Sequence, residues 1–487
     1  MERPNVLFIM SDQHSGKVMG HKGYNVKTPN LDKLAKTGVS FDNAVTQNPI
    51  CTPSRVSFFS GQFCHNHLYY GLDGADPGGL KNIFGHFREA GYKTAAIGKI
   101  HCPENWVRRD CDCFDDIYHS GFYTRFLEEK GLGKLEDSGH LQEFPHPGYQ
   151  PLDARPSNLD YADSTEGYIA GKSKEFIKSC AENEQPFFAF ASLQRPHECY
   201  TPSKEFWDMY EDAELPVSMF AETKDKSPAL HETAGGFKNG FWSLFEPKDY
   251  VSSAKRKLRG YLGCVSQVDY AVGEMVEFLK ETGVYDNTVI IYTSDHGEYA
   301  CHHNIMEKAP GICSDMVLKI PLIVTFPNRF KPDGNAKPLV QAVDLATTLC
   351  TLCGVPEMDT DGRDFSKILF GGHVRINDLA VSENLWSKSV YKGNFHFIRY
   401  PKTLFEREYP NGFGELYDLE KDPFEMTNLY FDLPDTIKEL ENELFDWLVT
   451  TTRPKTACCV DNCEIASDGK LPLSKVAETL KNNRNYI

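Results

Sequence analysis

The stretch Asn5-Val-Leu-Phe-Ile-Met10 is a short apolar run that ends just before the polar pair Asp12-Gln13. A run of this length, rich in large apolar side chains and followed by polar ones, is typical of a strand buried on both faces of a parallel sheet. Four later runs have the same character: Thr94–Ile97, Pro186–Ser192, Val289–Thr293 and Pro321–Phe326. Their spacing predicts one sheet assembled from distant segments of the chain.

Longer stretches with helical periodicity separate these strands. They are Asn30–Thr37, Leu80–Ala90, Thr165–Cys180, Lys255–Thr282 and Asp344–Cys353. Buried strands that alternate with helices are the pattern of βαβ units, in which helices cover both faces of the sheet. The sequence therefore predicts an α/β fold, with a large mixed but mainly parallel sheet between two helical layers.

The pattern changes near Asp378, where short alternating strands replace the longer units. These strands are Leu379–Glu383, Ser389–Tyr391, Phe395–Tyr400 and Leu416–Asp418, and a helical stretch at Thr436–Leu448 follows them. Such an arrangement is typical of a small α+β unit. We therefore expect a domain boundary near residue 375, with a main domain over residues 1–375 and a C-terminal α+β subdomain over residues 376–487.

Charge and composition exclude several classes of partner. The 487 residues include 52 Lys+Arg and 69 Asp+Glu, which gives a net charge of −17. Such a surface repels polyanions, so nucleic acid is not an expected partner, and an anionic substrate needs a locally positive pocket. No apolar run approaches the roughly 20 residues of a membrane span. With 15 scattered cysteines and no leader before the first strand, we expect reduced thiols and a cytoplasmic protein.

Two polar pairs follow directly after buried strands. Asp12 and Gln13 come after the first strand, and Asp295 and His296 come after the run that ends at Thr293. Because ligands bind in the crevice at the carboxyl ends of parallel strands, we expect the two pairs to converge. Carboxylates with an amide oxygen and an imidazole suit Ca²⁺, Mg²⁺ or Mn²⁺. The alternative is a helix N-cap at Asp12 and a simple polar turn at Asp295.

The segment Cys51-Thr-Pro-Ser-Arg55 resembles a family signature, and this resemblance favours the metal site over a separate N-cap and turn. It resembles the signature of the formylglycine-dependent (type I) sulfatases, in which the cysteine of Cys-x-Pro-Ser-Arg is oxidised to an aldehyde. Similarity to that family continues, in the family's order, through Gly98–His101, Arg195–His197, Thr293–Gly297, Lys319–Ile323 and Glu415–Glu425. The resemblance implies an alkaline-phosphatase-like fold and a sulfuric-ester hydrolase, with residues 1–375 as the catalytic domain.

The resemblance also implies how the nucleophile is made and held. Cys51 would be converted by a formylglycine-generating maturation enzyme to 3-oxoalanine, whose hydrate attacks sulfur and later expels sulfate. Arg55 would orient the hydrate, and Asp295 would accept the proton of the attacking hydroxyl. One divalent metal is implied, Ca²⁺ by default, with the ligands Asp12, Gln13, Cys51, Asp295 and His296.

Other residues that match the family motifs are expected to bind sulfate or to move protons. Lys99 and Lys308 would bind sulfate oxygens as point charges. His101 would take a proton as the sulfated intermediate collapses, and His197 would act at the leaving oxygen. His303 joins this catalytic set through the alignment of residues 295–308. Taken alone, these lysines and histidines would be ordinary surface or structural residues.

This chain departs from the common family pattern at its metal site. Where many members have Asp-Asp and Asp-Asn, it has Asp12-Gln13 and Asp295-His296. The change resembles the branch that holds choline sulfatases and phosphonate monoester hydrolases, and it makes Mn²⁺ or Mg²⁺ an alternative to Ca²⁺. A phosphonate or phosphate ester hydrolase with the same nucleophile is therefore one alternative function. A catalytically silent binding protein of the same fold is another.

The long segment Cys102–Asp163 has weak periodicity and is a candidate substrate wall. It contains Trp106, Arg108, Arg109, Tyr118, Phe122, Tyr123 and Arg125. Aromatic rings and arginines suit a sulfated, uronate-bearing sugar, such as a glycosaminoglycan-derived mono- or oligosaccharide. The alternative is an ordinary surface lid. We expect a small anionic sulfate ester as the substrate, with a sulfated sugar as the first choice.

Overall fold

The computed structural model describes residues 3–72, 76–135, 154–220, 226–230, 250–308 and 312–453. Its strands are β1 Asn5–Asp12, β2 Val39–Phe41, β3 Ala44–Val45, β4 Lys93–Gly98, β5 Cys113–Asp116, β6 Phe187–Pro196, β7 Thr288–Ser294, β8 Leu322–Thr325, β9 Asp333–Ala336, β10 Val340–Gln341, β11 Ala380–Glu383, β12 Lys388–Lys392, β13 Phe395–Arg399 and β14 Gly414–Asp418.

The α-helices alternate with these strands. They are α1 Pro29–Thr37, α2 Cys51–Ser60, α3 Cys64–His67, α4 Ile83–Glu89, α5 Glu104–Arg108, α6 Phe122–Glu129, α7 Thr165–Glu182, α8 Lys204–Trp207, α9 Tyr250–Glu281, α10 Asp315–Leu318, α11 Asp344–Cys353, α12 Ser366–Leu369 and α13 Pro434–Thr451. In the described part of the chain, no helix is long and apolar enough to cross a membrane.

An eight-stranded sheet, in the order β5-β4-β6-β1-β7-β8-β2-β9, forms the centre of the fold. Strands β5, β4, β6, β1 and β7 are parallel to one another, whereas β8 is antiparallel to both β7 and β2. In register, Leu7 of β1 lies between Ala189 of β6 and Ile290 of β7. The predicted mixed, mainly parallel α/β sheet is confirmed.

Strand β1 shows why the sheet is buried on both faces. All eight of its residues are buried. Val6, Phe8 and Met10 belong to one apolar cluster, together with residues of α2, α4 and α11, whereas Leu7 and Ile9 belong to a second cluster with residues of α1, α7 and α9. Successive side chains of a strand point to opposite faces, so a continuous apolar run fills both layers.

A four-stranded antiparallel sheet, β11-β12-β13-β14, follows the large one. Its Ala380 and Tyr391 share an apolar cluster with Val45, Cys313 and Leu318 of the preceding chain. Residues Met1–Phe445 form one compact unit, and Asp446–Ile487 are a second. The predicted boundary near residue 375 stays a prediction.

Helix boundaries differ from the sequence predictions where local capping intervenes. The predicted helix Leu80–Ala90 begins only at Ile83, because the Asn82 side chain accepts a hydrogen bond from Gly85 N at 3.0 Å. This is an N-cap interaction that fixes the first turn. The segment Cys102–Asp163, predicted to be irregular, contains α5, β5 and α6 in its described part.

Candidate active site

Three elements bring the polar pairs and Cys51 together at one edge of the sheet. Asp12 is the last residue of β1, Asp295 follows β7 directly, and Cys51 is the first residue of α2. One ligand atom each from Asp12, Cys51, Asp295 and His296 lies within 4.8 Å of the others, and all four residues are buried. The convergence expected from the strand ends is present in the structure.

Arg55 ties the two carboxylates to helix α2. Its Nη2 lies 3.0 Å from Asp12 Oδ2 and its Nε lies 2.8 Å from Asp295 Oδ2, with both carboxylates and the guanidinium fully buried. Nη1 donates to Ser192 Oγ at 2.9 Å. The planar fork of arginine suits this double pairing. Arg55 therefore fixes both carboxylates to the helix that carries Cys51, and its expected role in orienting the hydrate stays a prediction.

The surroundings of Cys51 favour negative charge on its side chain. Its Sγ lies 3.2 Å from His296 Nε2 and 3.9 Å from Asp12 Oδ1. Burial acts to raise the pKa of the thiol, but the charges of Lys99, Lys308 and His296 hold it well below its usual value. The first turn of α2 adds the positive end of its dipole. An anionic nucleophile or product at this position is stabilised by the same groups.

Two buried lysines lie on either side of Asp12. Lys99 Nζ is 2.6 Å from Asp12 Oδ2, and the lysine is 1% exposed. Lys308 Nζ donates to Gln13 Oε1 at 2.8 Å and to His197 Nε2 at 3.1 Å. Burial opposes protonation of Lys99, but the Asp12 carboxylate holds its pKa above the usual value. Both ammonium groups act electrostatically on Cys51.

His101 and His197 border the cluster from two different strand ends. His101 follows β4 and hydrogen-bonds the Cys51 side chain. Its backbone has φ +46°, and Thr52 Oγ1 donates to its carbonyl at 3.0 Å. His197 follows β6, with Nε2 4.0 Å from Asp12 Oδ1 and Nδ1 2.8 Å from the Glu198 carbonyl oxygen. The structure thus places one imidazole at Cys51 and a second at Asp12 and Lys308.

Gln13 has a different environment from the other predicted metal ligands. Its side-chain oxygen accepts from Lys308, and its amide nitrogen donates to Glu198 Oε2 at 3.1 Å and to Glu298. Its backbone N–H donates to Asp295 Oδ1 at 3.1 Å. In this arrangement the Gln13 amide connects Lys308 to the carboxylates of Glu198 and Glu298.

His303 is the predicted site residue that the structure does not bring to the cluster. It is buried in a short 3₁₀ turn, with its ring centroid 6.4 Å from that of Tyr299. Burial lowers its pKa, and the cations that act on it are Lys226, His302 and Lys17 rather than Lys99 or Lys308. Left-handed backbone at five residues redirects the chain here: Ala300, Cys301, His303, Asn304 and Glu307. Sequence alignment cannot show such turns, and the catalytic role expected of His303 stays a prediction.

Sequence reasoning missed Glu198 and Glu298 and named Tyr118 only for the substrate wall. Glu198 accepts from Gln13, and its charge acts on Lys308, where it raises the pKa that burial lowers. Glu298 accepts from Gln13 and from Tyr200 Oη, the latter at 3.1 Å. Lys99 Nζ lies 5.6 Å from the ring centroid of Tyr118. The only sequence signal was proximity, since Glu198 follows His197 and Glu298 lies two residues after His296.

Most residues of the proposed substrate wall contact groups outside the cluster around Cys51. Trp106 is buried and its indole N–H donates to Leu80 O at 2.7 Å, and Tyr123 Oη donates to Asp163 O at 2.8 Å. Arg109 pairs with Asp76 at 3.0 Å. Arg108 lies 5.6 Å from the ring centroid of Phe114. Among the seven residues named for this wall, Tyr118 is the one in contact with the Lys99 and His101 side chains.

The donor set fits a hard divalent cation. Two carboxylates and an imidazole lie with Cys51 in a buried group whose ligand atoms are within 4.8 Å of one another. The Cys51 Sγ marks the position at which oxygens of a hydrated aldehyde would lie. Burial lowers the pKa of His296, but Asp295 and Cys51 raise it to about 9, so the negative groups of the cluster favour a cation beside them. The geometry alone therefore defines a buried site for one divalent cation beside Cys51.

Comparison with known proteins gives the family. The Sulfatase family model matches residues 4–355, and a second model, described as N-sulphoglucosamine sulphohydrolase, C-terminal, matches residues 312–453. The first match covers most of the chain, so the chain belongs to the sulfatase family. It contains the sheet, Cys51 and every ligand of the candidate metal centre.

Characterised relatives span most of the chain at low identity. An arylsulfatase of Clostridium perfringens is 28% identical, covering 88% of this chain and 90% of the relative. An N-acetylglucosamine-6-O-sulfatase of Bacteroides thetaiotaomicron is 24% identical, covering 88% and 83%. A choline-sulfatase of Rhizobium meliloti is 26% identical, covering 88% and 82%.

Solved structures share the fold over nearly the whole chain. A phosphonate monoester hydrolase from Silicibacter pomeroyi has a TM-score of 0.79 and 21% identity, covering 95% of this chain and 98% of the other. A protein in complex with its substrate, D-glucosamine-2-N,6-O-disulfate, has a TM-score of 0.73 and 21% identity, covering 92% and 98%. The expected alkaline-phosphatase-like fold is confirmed.

Proposed function

We propose that this sulfatase hydrolyses a sulfated carbohydrate, with formylglycine made from Cys51 as its nucleophile. The observation that carries the proposal is the position of Cys51 Sγ, 3.2 Å from His296 Nε2 and within a cluster that also holds Asp12 and Asp295. A buried cysteine with no catalytic role would have apolar surroundings. Here Lys99, Lys308, His296 and His101 act on the charge of Cys51 instead.

The chain's own cations would bind the sulfuryl oxygens. Lys99 and Lys308 approach the cluster from opposite sides, and both act on the charge at Cys51. Charge that grows on the sulfuryl group in the transition state is thus met by fixed donors in a site that is closed to water. When bound by Asp12, Asp295 and His296, a divalent metal supplies Lewis acidity that lowers the pKa of the attacking hydroxyl. Ca²⁺ is the ion we propose, with Mn²⁺ or Mg²⁺ as alternatives.

The two histidines would handle protons at different atoms. His101 hydrogen-bonds the Cys51 side chain, so it is placed to take the proton of the second hydroxyl when sulfate leaves. His197 contacts Lys308 on the Asp12 side of the cluster and is part-exposed, so it is placed to donate to the leaving oxygen of the ester. Asp295 accepts hydrogen bonds from Arg55, Gln13 and its own neighbour His296, which fixes its carboxylate.

A sulfated sugar is the substrate class best supported by relatives. The similar proteins include the N-acetylglucosamine-6-O-sulfatase and two ulvan-active sulfatases of Formosa agariphila. The chain has a net charge of −17 and repels anions in general. A sulfated sugar therefore needs a locally positive site, such as the one proposed here. A maturation enzyme that oxidises Cys51 is the second partner of the proposal.

Turnover by cysteine variants tests the nucleophile. We expect Cys51→Ser to lose steady turnover of an aryl sulfate, because a serine lacks the second hydroxyl that expels sulfate. Cys64→Ser is the matched control, since Cys64 is equally buried but its Sγ contacts the Gln47 carbonyl at 3.7 Å, outside the cluster. Steady turnover of Cys51→Ser within a few fold of wild type would sink the proposed mechanism.

A phosphonate ester hydrolase is the second candidate function. It is favoured by Gln13 and His296 at the metal site and by the fold shared with the phosphonate monoester hydrolase of Silicibacter pomeroyi. Tetrahedral sulfuryl and phosphoryl groups require similar stabilisation. The ratio of kcat/KM for p-nitrophenyl sulfate to that for p-nitrophenyl phenylphosphonate separates the two. A ratio above one supports the sulfatase assignment, and a ratio below one supports the phosphonate hydrolase.

A further inference from the structure

A second cavity with buried lysines lies outside the catalytic cluster. Its volume is about 440 Å³, within the range of about 300–1,000 Å³ typical of small-molecule sites. The lining residues are Gly16, Lys17, Lys22, Gly23, Tyr24, Asp42, Asn43, Asp315, Lys319, Ile320, Leu419, Pro423 and Phe424. Three lysines and two aspartates line it, so the cavity wall has an excess of positive charge.

Lys319 is a buried cation that the charges of Asp315 and Asp42 compensate only from a distance. It is 8% exposed, and its Nζ donates to Asn43 Oδ1 at 2.6 Å. Among the residues that the structure describes, no carboxylate lies within salt-bridge distance of this ammonium. An ammonium has three N–H donors, so two are left for a ligand. Buried charges are normally paired, which makes this lysine the strongest sign of a missing anion.

Lys22 and Lys17 carry the remaining charge of the cavity. Lys22 Nζ donates to Phe41 O at 2.9 Å and lies 3.7 Å from Asp42 Oδ1, beyond hydrogen-bond distance. Lys17 is already paired with Asp315 at 2.6 Å. Both lysines act electrostatically on Lys319, where they add to the effect of burial, which lowers its pKa to about 8. The donors that are free to bind therefore come from Lys22 and Lys319.

We propose that this cavity binds a tetrahedral oxyanion, sulfate or phosphate, between Lys22 and Lys319. The ion is either free or the terminal group of a small ester, since the cavity is larger than a bare ion requires. Phe424 and Leu419 supply an apolar surface for an attached organic group. The three lysines and two aspartates leave the lining with one positive charge in excess, which a bound anion would compensate. The site is separate from the one that holds Cys51 and does not depend on its chemistry.

Isothermal titration calorimetry at pH 7 tests the site with sodium sulfate and sodium phosphate, against sodium chloride of equal ionic strength. A third titration uses glucose 6-sulfate, which separates a free ion from an ester. We expect Lys22→Gln and Lys319→Gln each to weaken one sulfate-binding event at least tenfold, because a charged hydrogen bond is lost. Binding to the catalytic cluster would be retained by both variants, as would turnover of an aryl sulfate.

Lys27→Gln is the matched control. Lys27 is the next lysine along the chain, and its Nζ lies 5.8 Å from the ring centroid of Tyr210, away from this cavity. It removes the same charge and should leave every titration unchanged. Thermal melts report folding, and Lys22→Gln alone carries the test if Lys319→Gln does not fold. Equal sulfate affinity in wild type and Lys22→Gln, or equal losses in Lys22→Gln and Lys27→Gln, would overturn the proposal.

Discussion

Replacing Arg55 by Met should destabilise the metal-free protein far more than an ordinary arginine substitution. Arg55 Nε and Nη2 lie 2.8 Å and 3.0 Å from the carboxylates of Asp295 and Asp12, and all three side chains are fully buried. Lys99 would still compensate Asp12 at 2.6 Å. Asp295 would keep its N–H donors and the His296 ring at 3.9 Å, so the cost is at most that of one unpaired buried charge, about 3–5 kcal/mol.

Urea unfolding in the presence of EDTA, followed by fluorescence, measures this loss. Arg375→Met is the control, because Arg375 pairs with Asp378 at 2.6 Å with both side chains 69% exposed. An exposed pair contributes about 0–1 kcal/mol, so the control should unfold close to wild type. Arg55→Lys should recover only part of the loss, because one ammonium cannot reach both carboxylates as the guanidinium fork does. A loss for Arg55→Met no larger than that of the control would refute the reasoning.

Three further predictions follow from the site and from the fold. Chelation should abolish turnover of an aryl sulfate, and readdition of Ca²⁺ or Mn²⁺ should restore it; full activity in a verified metal-free sample would contradict the metal site at Asp12 and Asp295. Lys308→Ala should lower kcat/KM by about 10- to 100-fold, since a charged contact to the sulfuryl group is worth about 1.5–3 kcal/mol, and steady-state kinetics on the same ester would show whether it does. Asn82→Ala should reduce the free energy of unfolding by about 0.5–2 kcal/mol through loss of the α4 N-cap, with turnover unchanged; urea unfolding of this variant at the wild-type midpoint would contradict the capping role.

The central sheet was predictable because its strands are long apolar runs. Each of the five runs is a strand of the large sheet. Burial on both faces explains why apolar residues follow one another without interruption instead of alternating with polar ones. Short strands such as β2 and β9 were not predicted. Strand β2 has three residues, too few for a pattern to stand out, and it is stabilised by pairing with β8 and β9, which lie far away in the sequence.

The candidate site was predictable where residues adjoin a strand end or a motif. Asp12, Asp295 and His296 follow strands, and Cys51 and Arg55 lie in the five-residue signature, so topology brings them together. His303 could not be placed, because its position depends on left-handed backbone between residues 300 and 307. Glu198 and Glu298 were missed because their roles arise from side-chain contacts with Gln13 across the site.

The chemical state of Cys51 is the measurement that tests the account most directly. Tryptic cleavage after Lys36 and Arg55 releases one peptide, residues 37–55, in which Cys51 is the only cysteine. Mass spectrometry of this peptide, from active protein produced with a formylglycine-generating enzyme, should show the mass of an aldehyde, and the fraction converted should scale with the rate of sulfate release. An unmodified Cys51 thiol in protein with full sulfatase activity would contradict the account.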